Sequence, residues 1–288
     1  MMRKSSIEEK LTTYPYELFE KFLSPLLKEL PSKPLYVVGY GSCLSQTTQS
    51  ATSTPDFYVV VDDYETFYAS KKAQKLNPIL PPNIYHFHLD SMIIKYSVIS
   101  QSDLNREVSL NASDVYHLGR FSKRIALVHA EQTNALETLI NVHEEAAKTA
   151  FILSHRLHGP SSTLEEAVLK ALRLSYEGDV RIEADDKVQK LYLAESDYYQ
   201  ALYQPIFEEH GKTSSETSIK FWIKKSRIRA QLRWLKNILT ATSWIDYMIF
   251  KIERTKGIKI ELTETQKKFW FIHIWPILWR LYRENAIK

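Results

Sequence analysis

The tightest constraint on this chain is a pair of stretches read together: Leu35-Tyr-Val-Val-Gly-Tyr-Gly-Ser-Cys-Leu-Ser and Thr54-Pro-Asp-Phe-Tyr-Val-Val-Val-Asp-Asp. Leu35 to Val38 is a short apolar run and reads as a buried strand. Gly39 and Gly41 flank Tyr40, so the backbone can turn tightly and present bare N–H groups. Only seven of 288 residues are glycine, which makes two of them within three positions informative. Ser42 adds a hydroxyl, and a nest of amides of this kind suits a phosphate. Asp56 then opens a β-branched run, where a strand would hold its carboxylate rigidly.

Length and composition bound the rest. With 288 residues and 44% hydrophobic content, the chain can build one large domain or two modest ones. Its single cysteine, Cys43, rules out an intrachain disulfide and fits a reducing compartment. The net charge of +4 conceals an asymmetry. Up to residue 210 there are 28 acidic and 21 basic residues; beyond it there are 17 basic and 6 acidic ones. A tail this basic points to an anionic partner. No run approaches the roughly 20 apolar residues that a membrane-spanning helix needs.

Along the chain, Ile7 to Leu30 carries apolar residues at helical spacing, and Pro31 and Pro34 end it. Gln46 to Thr54, rich in Ser, Thr and Gln, reads as a loop or a mobile helix start. Tyr64 to Lys75 reads as a short helix, with prolines at 78, 81 and 82 behind it. His86 and His88 share one face of a strand, without the further ligands a zinc site needs. Met92 to Ile99 reads as a buried strand from which Lys95 projects. From Ala126 onward the pattern is mostly helical, with apolar stripes over Val142–Leu157, Thr163–Tyr176 and Lys187–Leu202. The expected architecture is α+β.

A strand ending in Gly-Ser, followed by a strand opening with Asp, resembles the nucleotidyltransferase superfamily of DNA polymerase beta type. Four ordered blocks sharpen the likeness: Val37–Ser42, Asp56–Asp63, Ile94–Ser100 and Tyr116–Lys123. Together they resemble the mitochondrial-type CDP-diacylglycerol synthases, over about Val37 to Val128. Cys43 stands where that family usually has the second Gly of Gly-Ser-Gly. Arg124 stands where it usually has Pro after the Gly-Arg-block lysine. The resemblance implies a mixed-sheet nucleotidyltransferase head over residues 1–128 and a helical domain over residues 129–288. It also implies formation of CDP-diacylglycerol from CTP and phosphatidate with Mg²⁺.

On that resemblance, Gly41 and Ser42 cradle the CTP phosphates and Asp56 holds the metal. Lys95, Arg120 and Lys123 neutralise phosphate charge. Each has a plainer alternative: Asp56 as a solvent-facing strand start, Lys95 reaching out from an edge strand, and Arg120 with Lys123 as a cationic helix face. Lys95 is the more informative, because a lysine inside an apolar strand calls for an anion such as a triphosphate or Asp56 itself. A second metal carboxylate is harder to place. Position 58 is Tyr, Asp62 lies about 20 Å along the strand, and Asp62 with Asp63 reads as a strand end and turn. Asp90, just before the Lys95 strand, is an unproven candidate.

The tail interleaves cations and aromatics over Lys220–Lys236, turns apolar over Trp244–Ile252, and clusters tryptophans over Phe269–Trp279. This pattern fits an interfacial helix, or else a core helix packed on the head. An insoluble, anionic lipid substrate favours the first, with an anionic membrane surface as partner. Two rivals remain: a nucleotidyltransferase acting on RNA or protein, whose nucleic-acid partner this reading disfavours, and a catalytically silent membrane adaptor. The first ten residues contain adjacent acids and no apolar core, so they read as neither a secretory nor a mitochondrial address. The location expected from them is the bacterial cytoplasm, peripheral on the inner face of the cell membrane. The matrix side of the mitochondrial inner membrane is the alternative.

Overall fold

The computed structural model describes residues 2–44, 54–90, 92–178, 185–211 and 219–240, with isolated residues beyond 240. The loop expected over 46–54 falls almost wholly outside the described residues, as do the stretches 244–252 and 269–279 apart from single positions.

Five strands form one mixed sheet: β1 (Tyr36–Tyr40), β2 (Asp56–Val61), β3 (Asn83–Leu89), β4 (Met92–Ser100) and β5 (Ile125–Ala130). Their order is β3-β4-β2-β1-β5. Strand β1 runs antiparallel to β2 and β5, β2 runs parallel to β4, and β3 and β4 are antiparallel. All five residues of β1 are buried, as a central strand covered on both faces requires. Strand β5 was not expected, since the pattern reads as helical from Ala126 onward; the expected domain boundary after residue 128 falls inside this strand.

Helices cover both faces. On one side lie α2 (Tyr16–Glu29) and α3 (Tyr64–Phe67), which pack Phe19, Phe22, Leu26 and Phe67 on Val37, Phe57, Val59 and Val98. Cys43 joins this cluster, so it serves packing. On the other side lie α1 (Met2–Thr12), α5 (Gln101–Val108), α6 (Val115–Phe121), α7 (Ala135–His158), α8 (Leu164–Glu177), α9 (Asp185–Ala194) and α10 (Ser196–His210). They share one core with Tyr36, Val38, Tyr58 and Val60 of the sheet. The fold is α+β, with a mixed-sheet head and a helical C-terminal part.

Three expected helices divide. The run 7–30 splits into α1 and α2 around Thr13–Pro15, where Pro15 has no N–H to donate and leaves the helical conformation at φ −66°, ψ 83°. The run 64–75 splits into α3 and α4 (Lys71–Ile79), since Ser70 caps a new helix by accepting from the Ala73 N–H. The run 187–202 splits at Glu195, which lies between α9 and α10. Asp63 caps α3, accepting from the Thr66 N–H at 2.7 Å, which accounts for that acid structurally. Asp62 is exposed at the strand end, and Asp90 is exposed in the β3–β4 turn.

The described part of the tail is the basic helix α11 (Lys220–Thr240). One face docks on the head through buried Ile223, Ser226, Ala230, Arg233 and Asn237. Arg229 and Arg233 reach the buried Asp114 at 2.7 and 2.8 Å, and Arg233 also donates to the Pro81 carbonyl at 2.8 Å. Burial alone would raise the Asp114 carboxyl, but Arg233 and Arg229 outweigh it and hold it down at about 2. The opposite face leaves Phe221, Ile228, Leu232 and Leu235 exposed.

Candidate active site

The β-sheet register builds the site. Tyr40 pairs with Asp56, Asp56 with Lys95, and Lys95 with His86, so four residues line up in one row across β1, β2, β4 and β3. Side chains alternate along strands, and directly opposed residues share a face. The Lys95 Nζ sits 2.9 Å from Asp56 Oδ1 and 5.5 Å from the centre of the Tyr40 ring. Lys95 is 13% exposed and Asp56 34%, so the pair lies at the mouth of a cleft. Burial and the Lys95 charge push His86 down to about 3, so it stands beside the pair as a neutral ring.

Gly41 follows Tyr40 with φ +94°, a left-handed conformation that favours glycine. A Cβ built there would lie 3.5 Å from Asp56 Oδ2. The turn and the Asp56 carboxylate thus lie side by side. Ser42 begins a 3₁₀ turn (Ser42–Leu44), and its side chain is outside the described residues.

A cavity of about 340 Å³ joins this sheet end to the helical layer. Gly41, Asp56, Lys95, Arg120 and Lys123 all line it, so five of the six residues expected from sequence meet in one place. Arg120 lies near the end of α6 and is stacked 3.6 Å from the Tyr116 ring centre, donating to the Tyr116 carbonyl. Lys123 lies just past the helix. Its Nζ donates to Ser175 Oγ at 2.6 Å and sits 4.0 Å over the Tyr176 ring. Gly119 makes this possible, because a Cβ there would come within 2.3 Å of Ser175 Cβ.

The same cavity is lined by Arg124, Lys187, Lys190 and Glu195, none of which was expected at the site. Arg124 is buried and braces the wall: it donates to the carbonyls of Ile125 and Thr13 and sits 3.3 Å from Glu195. Lys10 approaches the same carboxylate at 3.3 Å. Six cationic side chains thus face two carboxylates around one cavity. No cluster of three or more His, Cys, Asp or Glu residues that could hold a metal ion occurs among the described residues. Asp62, Asp63, Asp90 and His88 do not line the cavity.

Comparison with known proteins decides the family. The family described as "Phosphatidate cytidylyltransferase, mitochondrial" matches residues 68–243, well over half of the chain. The chain belongs to this family. The matched segment contains Lys95, Arg120, Lys123, Lys187 and Lys190, while Gly41 and Asp56 lie before it.

A cytidylyltransferase of the same description from Bos taurus is 32% identical over 124 residues, covering 42% of this chain and 36% of the bovine protein. The chain therefore aligns with little more than a third of that relative's length. A solved nucleotidyltransferase-like protein from Exiguobacterium sibiricum matches at 12% identity and a TM-score of 0.30, over 94% of this chain and 91% of that one. A likeness this slight carries no weight.

Membership in the phosphatidate cytidylyltransferase family overturns one expectation. Both the family and the bovine relative are described as mitochondrial, against the bacterial cytoplasm read from the first ten residues. Residues 2–10 belong to α1, which buries Ile7 in the core. No helix among the described residues is long and apolar enough to cross a membrane.

Proposed function

We propose that this chain transfers a cytidylyl group from CTP to phosphatidate, forming CDP-diacylglycerol and pyrophosphate in the cavity around Asp56 and Lys95. The observation that carries this reading is the convergence of that ion pair with Gly41, Arg120 and Lys123 on one cationic cavity. A phosphatidate oxygen attacks the α-phosphorus of CTP, the α–β phosphoanhydride bond breaks, and pyrophosphate leaves. The acceptor is already an anion, so no strong base is required. What the reaction needs is alignment of two anions and neutralisation of the leaving group.

Lys95, Arg120 and Lys123 supply that neutralisation. The Gly41 turn brings backbone close to the triphosphate. Mg²⁺ fits here with Asp56 as its protein ligand, since this ion takes one or two carboxylates and completes its shell with water and substrate phosphates. When bound, it neutralises charge on the phosphates and helps pyrophosphate depart. Lys95 pairs with Asp56 Oδ1, so Oδ2, beside the Gly41 turn, is the oxygen we assign to the ion.

The lipid acceptor requires a membrane surface, and the outward stripe of α11 is suited to one. Phe221, Ile228, Leu232 and Leu235 project from it, with Lys224 and Lys225 alongside. Apolar residues flanked by lysines favour an anionic interface. The surface we propose is mitochondrial.

The test is pyrophosphate release from CTP with phosphatidate vesicles and Mg²⁺. Release that requires all three supports the reading. Folded protein that binds the vesicles and releases none refutes it.

A further inference from the structure

The proposed reaction brings two anionic substrates together, and the cavity's cations fall into two groups. One belongs to the sheet end: Lys95 against Asp56, with Arg120 on α6 beside it. The other belongs to α9. Along a helix, positions i, i+3, i+4 and i+7 share a face. In α9 that face is Lys187, Lys190, Leu191 and Ala194, and all four line the cavity. Val188 and Tyr192, each 3% exposed, turn the other way into the core. Glu195, at the end of α9, is held by Arg124 and Lys10, which fixes the wall against the head.

This wall has a particular chemistry. Two lysines stand one turn apart, and two apolar side chains continue the same face. Leu193, 62% exposed, adds apolar surface on the neighbouring strip of the helix. The pair of lysines running into leucine and alanine sets charge and hydrocarbon side by side on one helix face. A phosphomonoester carrying hydrocarbon matches both parts: the lysines bind the phosphate as point charges, and the apolar residues follow the chain that leaves it.

We infer that α9 is the acceptor subsite, in which Lys187 and Lys190 bind the phosphomonoester of an anionic lipid and Leu191 and Ala194 accompany the start of its acyl region. CTP then occupies the Asp56 side. This assignment rests on the cytidylyltransferase reading, and it deepens it by giving each substrate its own wall.

The experiment uses the full chain in neutral-detergent mixed micelles, with phosphatidate as the sole anionic lipid and its mole fraction varied at fixed total surface. In Lys187→Gln/Lys190→Gln the KM for phosphatidate should rise about tenfold or more, the effect of removing charge-assisted contacts, while CTP affinity measured by calorimetry stays within twofold. Lys187→Arg/Lys190→Arg should retain most of the wild-type KM. Both lysines are exposed, so the substitutions leave the core intact. A phosphatidate KM that does not move, or a loss of affinity falling on CTP instead, overturns the subsite while leaving the reading standing. Should the wild type form no CDP-diacylglycerol, the reading itself fails. The subsite is then judged by calorimetry with a water-soluble short-chain phosphatidate. Equal binding by wild type and the glutamine double variant overturns it.

Discussion

Asp56 and Lys95 face each other across the parallel strands β2 and β4 and close a 2.9 Å ion pair at the cavity end of the sheet. The pair sets a carboxylate and an ammonium in fixed register, one able to face a metal ion and the other a phosphate. Replacing either should spare the fold and damage catalysis. Lys95→Met is expected to lower kcat/KM by about a hundredfold or more, the usual scale for losing one preorganised charge at a reacting phosphate. Its melting temperature should stay near that of the wild type. Steady-state kinetics and calorimetry on the same preparation check both halves.

Gly41 should resist even alanine. Its φ of +94° is strained for any residue with a Cβ, at about 1–2 kcal/mol, and the new methyl would stand 3.5 Å from Asp56 Oδ2. Gly41→Ala is therefore expected to weaken Mg²⁺ activation more than it weakens the fold. Titrating activity against Mg²⁺, with a denaturation curve as control, separates the two effects.

Gly119→Ala acts through packing. A Cβ meeting Ser175 Cβ at 2.3 Å forces α6 and α8 apart, which should cost about 1–3 kcal/mol. Because Lys123 is held by Ser175, that displacement should also reduce turnover. Ser175→Ala removes the hydroxyl without the clash and should leave stability closer to wild type. Urea midpoints of the two variants give the comparison.

Docking of α11 should depend on acid. The Asp114 carboxyl is held at about 2 by Arg233 and Arg229 against an ordinary value of 3.8. A depressed carboxylate contributes stability above its unfolded pKa and loses it as pH falls toward the folded one. Its contribution, about 2 kcal/mol, is thus present above pH 4 and fades between about pH 4 and 2. Asp114→Asn should lose this part of the acid dependence. At neutral pH it should be destabilised by about 3 kcal/mol, because it strands two arginines, one of them fully buried. Stability curves from pH 2 to 7 for the two proteins test this.

The two defining strands were legible because each is a short apolar run with an unusual end: glycines after Val38, a carboxylate before Phe57. Lys95 was legible for the same reason, as a charge inside an apolar strand. That these ends meet was not legible locally, because it depends on the register of β1, β2 and β4. Strand β5 was missed because six residues beside long helical stripes carry little periodicity of their own. Arg124 was visible only as a departure from the family pattern, and its partner Glu195 lies 71 positions away. Lys187 and Lys190 fall in a stretch recognised only by its apolar stripe, and only the placement of α9 against the sheet end turns them toward a cavity. The tail's charge was read as pointing to an anionic partner, and part of that charge is met within the fold by Asp114.

The most direct measurement follows the α-phosphate. CTP labelled at that phosphorus is incubated with phosphatidate vesicles and Mg²⁺, and label entering the lipid phase is compared for wild type and Asp56→Asn. Transfer of label into CDP-diacylglycerol by the wild type, with matching pyrophosphate and almost none in the variant, is the expected result. Label that stays in the aqueous phase, or that reaches lipid equally well without the Asp56 carboxylate, would contradict the account.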